Sequence, residues 1–149
     1  MRRLFHTYPN FGFTILRLAL GVIFFAHGAQ KVLGLFGGPG FSGWMAFMAS
    51  AHVPAPFAAL AAIAEFFGAL GLLLGFLTRI AAFGIAVDMV VAVWMVHLPN
   101  GFFMNWTGKQ AGEGFEYHIL IVAACLVLMI YGGGAASIDS AIFQGMKSA

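Results

Sequence analysis

Four stretches of about twenty apolar residues fill most of this 149-residue chain, and ionisable groups sit inside three of them. At about 1.5 Å of rise per residue, a helix of that length crosses the hydrocarbon core of a bilayer. Asp, Glu, Arg and Lys are costly in that medium, so they face the bundle interior, find partners and often mark a functional site. Here they are Arg17, Lys31, Glu65 and Asp88, joined by His27, with His97, Glu116 and His118 at helix edges. Composition agrees: the chain is 62% hydrophobic and 8% charged, against about 25% charged in a soluble domain. The net charge of +2 is small and scattered, which gives no basis for a nucleic-acid partner.

The expected fold class is all-α, an integral membrane four-helix bundle forming a single domain over 1–149. Its helices are expected at about 12–34, 57–77, 80–98 and 115–131. Breakers support these limits: Gly37-Gly38-Pro39-Gly40, Pro54-Ala55-Pro56, Pro99-Asn100-Gly101 and Gly132-Gly133-Gly134. No small-residue cleavage site follows the first apolar run, so it is expected to be retained as a helix. Four spans put both termini on the side of a turn at 78–79, together with Arg2, Arg3, Arg79 and Lys147. The other side has Lys109, with Lys31 near its boundary. Positive charge favours the inside, so both termini are expected to be cytoplasmic in a bacterial inner membrane. The segment at about 41–52 is too short to span and suits the outer interface, where Trp44 is at home.

Small residues let membrane helices approach. Ala61, Ala64, Gly68, Gly71 and Gly75 make such a seam, with Glu65 beside it; Gly84 and Asp88 share another, and Arg17, Gly21, Gly28 and Lys31 a third. Depth along each span pairs Arg17 with Asp88 in the inner half, as a structural ion pair. It pairs His27 with Glu65 in the outer half, as candidate catalytic residues, while Lys31 can join Glu65 or lift its ammonium to the interface. Gln30, Lys31, His97, Asn100, Glu116 and His118 lie near that level as candidate binding groups, and Phe24, Phe66 and Trp94 would wall a pocket for a flat amphiphile. Each also has a plainer reading. His97 can satisfy carbonyls at a helix end, Glu116 can complement a helix N-terminus, and the three tryptophans can anchor the interface.

Cys125 is the only cysteine, so no internal disulfide and no cysteine cluster can form. The histidines and carboxylates show no zinc spacing such as HExxH, and no metal is expected. Neither GxGxxG, a P-loop nor a GxSxG nucleophile turn occurs, so no nucleotide cofactor is expected.

The order of residues resembles a known family. Arg17, then His27-Gly28-Ala29-Gln30-Lys31 and Gly37-Gly38-Pro39-Gly40, is similar to the opening of the DoxX family of small four-helix bacterial membrane proteins. Glu65, Gly68, Gly71, Gly75 and Thr78-Arg79 resemble its second helix and turn. His97 with Asn100-Gly101-Phe102-Phe103, and Gly114-Phe115-Glu116-Tyr117, resemble its third loop, and the run from Gly132 to Asp139 resembles its glycine-rich terminus. The likeness covers about residues 12–142. One departure stands out: Gly133 and Ala135-Ala136 occupy the place of a proline and a basic residue.

The resemblance implies an oxidoreductase or a subunit of one. Relatives are linked with quinone-coupled thiosulfate oxidation, with catechol and quinone stress, and with assemblies for thiol oxidation. The leading expectation is a quinone- or quinol-interacting membrane subunit, with quinone as its ligand and a soluble redox protein as partner. Two rivals are a non-catalytic anchor for such a protein and a small-molecule or proton carrier, the latter requiring a homo-oligomer.

Overall fold

The computed structural model describes residues 2–148; Met1, Ala149 and the side chain of Arg2, counted above among the inner charges, lie outside the described residues. Seven α-helices and no strand occur among them. Helix α1 (Arg2–Phe5) is a single turn. Helix α2 (Phe11–Leu33) starts at Asn10, whose side chain accepts from the Gly12 amide at 2.7 Å, the usual device for an unpaired first-turn donor. It ends at Gly34, whose left-handed φ of 71° favours glycine.

After α3 (Gly40–Ser50), Pro54 opens α4 (Ala55–Leu74), which stops at Gly75 with φ 64°. Helix α5 (Thr78–Ala92) continues through a π-helical turn (Val93–His97) and a 3-10 turn (Leu98–Asn100). It therefore forms one apolar rod, Thr78–Asn100. Helix α6 (Glu116–Tyr131) and helix α7 (Ile138–Ser148) complete the chain. Three rods, α2, α4 and Thr78–Asn100, are long and apolar enough to cross a membrane; α6 is apolar but shorter, at 16 residues. The α4–α5 turn lies at 75–77, earlier than the expected 78–79, because Gly75 can take the left-handed conformation that ends α4.

Helix α2 packs on α4, α4 on α5, and α5 on α6, while α3 lies beside α2 and α4 and buries none of its residues. Leu20, Phe24, Leu72, Ile85, Ile121 and Leu128 occupy the centre. The α2–α4 contact is closest at Gly28, where a Cβ atom would stand 2.6 Å from Cα and N of Phe66. Phe11, Ile15, Val22, Phe57, Phe67, Val90 and Trp94 form part of an exposed apolar belt, which in a soluble protein would be a liability and here faces lipid.

The end of the bundle that carries the described N- and C-terminal segments is closed by polar groups. Arg17 is 3% exposed. Its guanidinium donates to the carbonyls of Gly133 at 2.8 Å and of Leu72 and Leu73 at 2.7 Å each, and also to Ala136. It thereby serves the C-terminal carbonyls of α4, where a cation complements the helix dipole. The expected Arg17–Asp88 ion pair does not form. The carboxylate that acts on Arg17 is Asp139, and Asp88 points instead toward α4. Arg79 similarly donates to Met129, Ile130 and His6 carbonyls, tying the end of α6 to the N-terminal segment.

Asp139, 1% exposed at the start of α7, accepts from the amides of Leu77 at 2.8 Å and Thr78 at 2.9 Å. A residue from α7 thus caps α5, whose own N-cap residue offers no side-chain bond. Removing a shared acceptor leaves buried donors unpaired, at about 1–3 kcal/mol each. Asp139→Ala is therefore expected to cost about 2–4 kcal/mol, read as a clear drop in the thermal unfolding midpoint in detergent. An unchanged midpoint would remove Asp139 from this role.

Candidate functional site

The most buried carboxylate within the spans is Glu65, on the face of α4 that meets α2. Lys31, one helical turn beyond Gly28, donates to its Oε1 from α2. The absence of a side chain at Gly28 brings the two backbones close enough for this pair. The Glu65 side chain is 4% exposed and that of Lys31 is 20% exposed, so the ammonium forms the accessible edge. The Trp44 ring of α3 lies 4.5 Å from the Lys31 Nζ, near enough for a cation–π contact. Trp44 is itself fixed by donating to the Ala58 carbonyl at 2.8 Å.

The other carboxyl oxygen, Glu65 Oε2, is buried and has no hydrogen-bond donor. On α5, Asp88 comes within hydrogen-bonding reach of Glu65 and also feels the Lys31 charge. Three helices therefore bring one ammonium and two carboxyls together in an apolar interior. The expected pairing of His27 with Glu65 does not form: His27 is exposed on the outer surface of α2, and Lys31 takes its place. Gln30 is also occupied elsewhere, donating to the Phe36 carbonyl at 3.2 Å and holding the loop after α2.

The remaining candidates gather where the rod Thr78–Asn100 ends and α6 begins. The rings of His97 and His118 have centroids 4.1 Å apart. The Nδ1 of His97 lies 2.9 Å from the Glu113 carbonyl, which also accepts from Asn100 at 3.2 Å. The π-helical turn at Val93–His97 adds a residue to this part of α5 and sets the direction of His97. His118 is buried, and its Nδ1 has no partner. An apolar groove of about 390 Å³ runs past it, lined by Val90, Val93, Phe115, Ile119 and Val122 among others.

Glu116 acts on the loop, where its Oε1 accepts from the Met104 amide at 2.9 Å. Glu113 does the same for Asn105 at 2.7 Å. Trp94 is 76% exposed, so the expected wall of Phe24, Phe66 and Trp94 is not assembled; Phe24 belongs to the core. Among the described residues, no three His, Cys, Asp or Glu side chains gather as a metal-binding group.

Lys31 as a partner of Glu65 is an alternative that depth matching leaves open and the structure realises, whereas Asp88 as a member of the same site is the second assignment and the one that depth matching misses. A signal for the second was present. Residue 65 lies ten before 75 and residue 88 eleven after 77, so an α4–α5 hairpin turning at 75–77 brings both to nearly one level.

Comparison with known proteins agrees with this architecture. The family model DoxX matches residues 12–98. The chain is 28% identical over 137 residues to the protein named "Putative oxidoreductase CatD" from Bacillus subtilis, covering 92% of this chain and 91% of that one. It is 33% identical over 131 residues to "Inner membrane protein YphA" from Escherichia coli, covering 84% and 86%. No solved structure matches the chain at comparable significance. The membrane-length rods, the family match across α2, α4 and most of the third rod, and relatives aligned through the remainder lead to one conclusion: this chain is a membrane protein of the DoxX family.

Proposed function

We propose that this protein is a quinone- or quinol-interacting membrane subunit of an oxidoreductase system. The observation that carries the reading is the buried Glu65, clamped on one oxygen by Lys31 and left without a donor on the other. A carboxyl placed so deep in a membrane bundle is a group for handling protons. The name of the Bacillus subtilis relative supports redox chemistry.

In this reading the chain is one domain with four membrane helices, α6 being the fourth, in the bacterial inner membrane. Both termini are cytoplasmic, at the end that carries Arg3, Arg79 and Lys147. The quinol ring approaches from the bilayer and places an oxygen at the accessible edge of Lys31. As the quinol is oxidised to the quinone, one of its two protons passes to Glu65 and the other to water, and both electrons pass to an oxidised soluble redox partner. His97 and His118, with the groove beside them, offer a second polar level on the way to the outer surface.

The anchoring role is supported by the 99–114 loop. Glu113, Glu116 and Asn105 hydrogen-bond it into a defined shape, which suits a docking surface for a partner.

The deciding experiment is quinone analysis of protein purified in mild detergent with native lipid retained. Stoichiometric quinone is expected in the wild type, with loss of most of it in Glu65→Gln. Equal background quinone in both would end the quinone reading and leave the anchor.

A further inference from the structure

We propose that Glu65 and Asp88 form a carboxyl pair that binds one proton between them, with Lys31 as its fixed counter-charge. The charges at this point do not balance otherwise. With both carboxyls ionised, one ammonium leaves a net negative charge inside the bundle, where uncompensated charge is strongly disfavoured.

The geometry shows where the proton goes. Glu65 Oε1 is taken by Lys31, Oε2 is buried without a donor, and Asp88 lies within hydrogen-bonding reach of Glu65. A proton held by either carboxyl gives the other a donor, forming a short charge-assisted O–H···O bond. It also brings the group of three to neutrality.

Among the described residues no other charged group reaches this site from the elements packed on α4; Arg17 of α2 is held at the C-terminal end of α4 by the Leu72 and Leu73 carbonyls. Helix α2 supplies Lys31, while its His27 is turned outward and its Gln30 holds a loop; α5 supplies Asp88; α3 carries no ionisable residue. Residues 65 and 88 lie ten and eleven positions from the α4–α5 turn at 75–77, which sets both at nearly the same depth. Lys31 reaches the accessible edge beneath Trp44, which is the side from which the proton exchanges.

The use of this proton in quinol chemistry rests on the function proposed above, whereas its presence does not. The test is infrared spectroscopy of the quinone-depleted protein in lipid, in light and heavy water, for wild type, Asp88→Asn and Glu65→Gln. Circular dichroism serves as the check on folding.

The wild type is expected to show the carbonyl stretch of one protonated carboxyl at neutral pH, shifted by deuteration. Both variants are expected to lose it, because one carboxylate and Lys31 then balance and the new amide supplies the donor. Absence of the band in the wild type, or its persistence in either folded variant, overturns the proposal. A band that behaves as expected in a protein that retains no quinone when purified with lipid upholds the proton site and rejects only the quinone reading.

Discussion

Arg17→Met is expected to destabilise the protein by about 4 kcal/mol or more and to free α7 from the bundle. The guanidinium donates to four carbonyls, two at the end of α4 and two in the glycine-rich segment before α7. Methionine keeps much of the apolar stem but supplies no donor, and each buried acceptor left unpaired costs about 1–3 kcal/mol. The loss should appear as a large drop in the thermal unfolding midpoint and as new protease cleavage between residues 132 and 148. Arg17→Lys should recover only part of it, since a point-like ammonium cannot span the directions that the planar fork serves. A methionine variant as stable and protease-resistant as the wild type would refute the closure of this end of the bundle by Arg17.

The second large effect is expected at Gly28. A Cβ atom there meets Cα and N of Phe66 at 2.6 Å and the carbonyl carbon of Glu65 at 2.9 Å. These are backbone atoms, so no rotamer change relieves the overlap, and α2 must move away from α4. Gly28→Val is expected to cost about 3 kcal/mol, at the upper end for overpacking, and to separate Lys31 from Glu65. Bound quinone should fall with it. Gly84→Ala is the control, because its nearest neighbour is the Ala64 Cβ at 3.7 Å, an ordinary contact. Equal stability of the two variants would show that α2 and α4 do not approach as closely as this packing requires.

The long helices were readable because apolar length and breakers act locally: Asn10, Gly34, Pro54 and Gly75 stop or start helices by their own chemistry. Side-chain partners depend on register, and there a small error propagates. Reading the α4–α5 turn at 78–79 instead of 75–77 displaces Glu65 from Asp88 by four residues, about 6 Å. Asp88 was thereby matched with Arg17. His27 was misdirected for a different reason, since a residue on the flank of a seam can fall on either side of a helix contact.

Helix α7 was missed because its 11 residues include Gln, Lys and Ser and follow three glycines. Its start was nonetheless marked by Ser137, whose hydroxyl accepts from the Ser140 amide at 3.1 Å. The π-helical turn that sets His97 has no comparable sequence mark.

The closure of the Arg17 end of the bundle also implies an order of assembly. Arg17 enters the membrane with the first long helix to be synthesised, yet two of its four acceptors, and Asp139, come from the last twenty or so residues. During biosynthesis the guanidinium lacks these partners until residues 133–139 have been made. A protein cut short before residue 133 would insert its helices and still lack the groups that hold them in place. Arrival of the segment from Gly133 to Asp139 is then itself the locking step for the helices already in place.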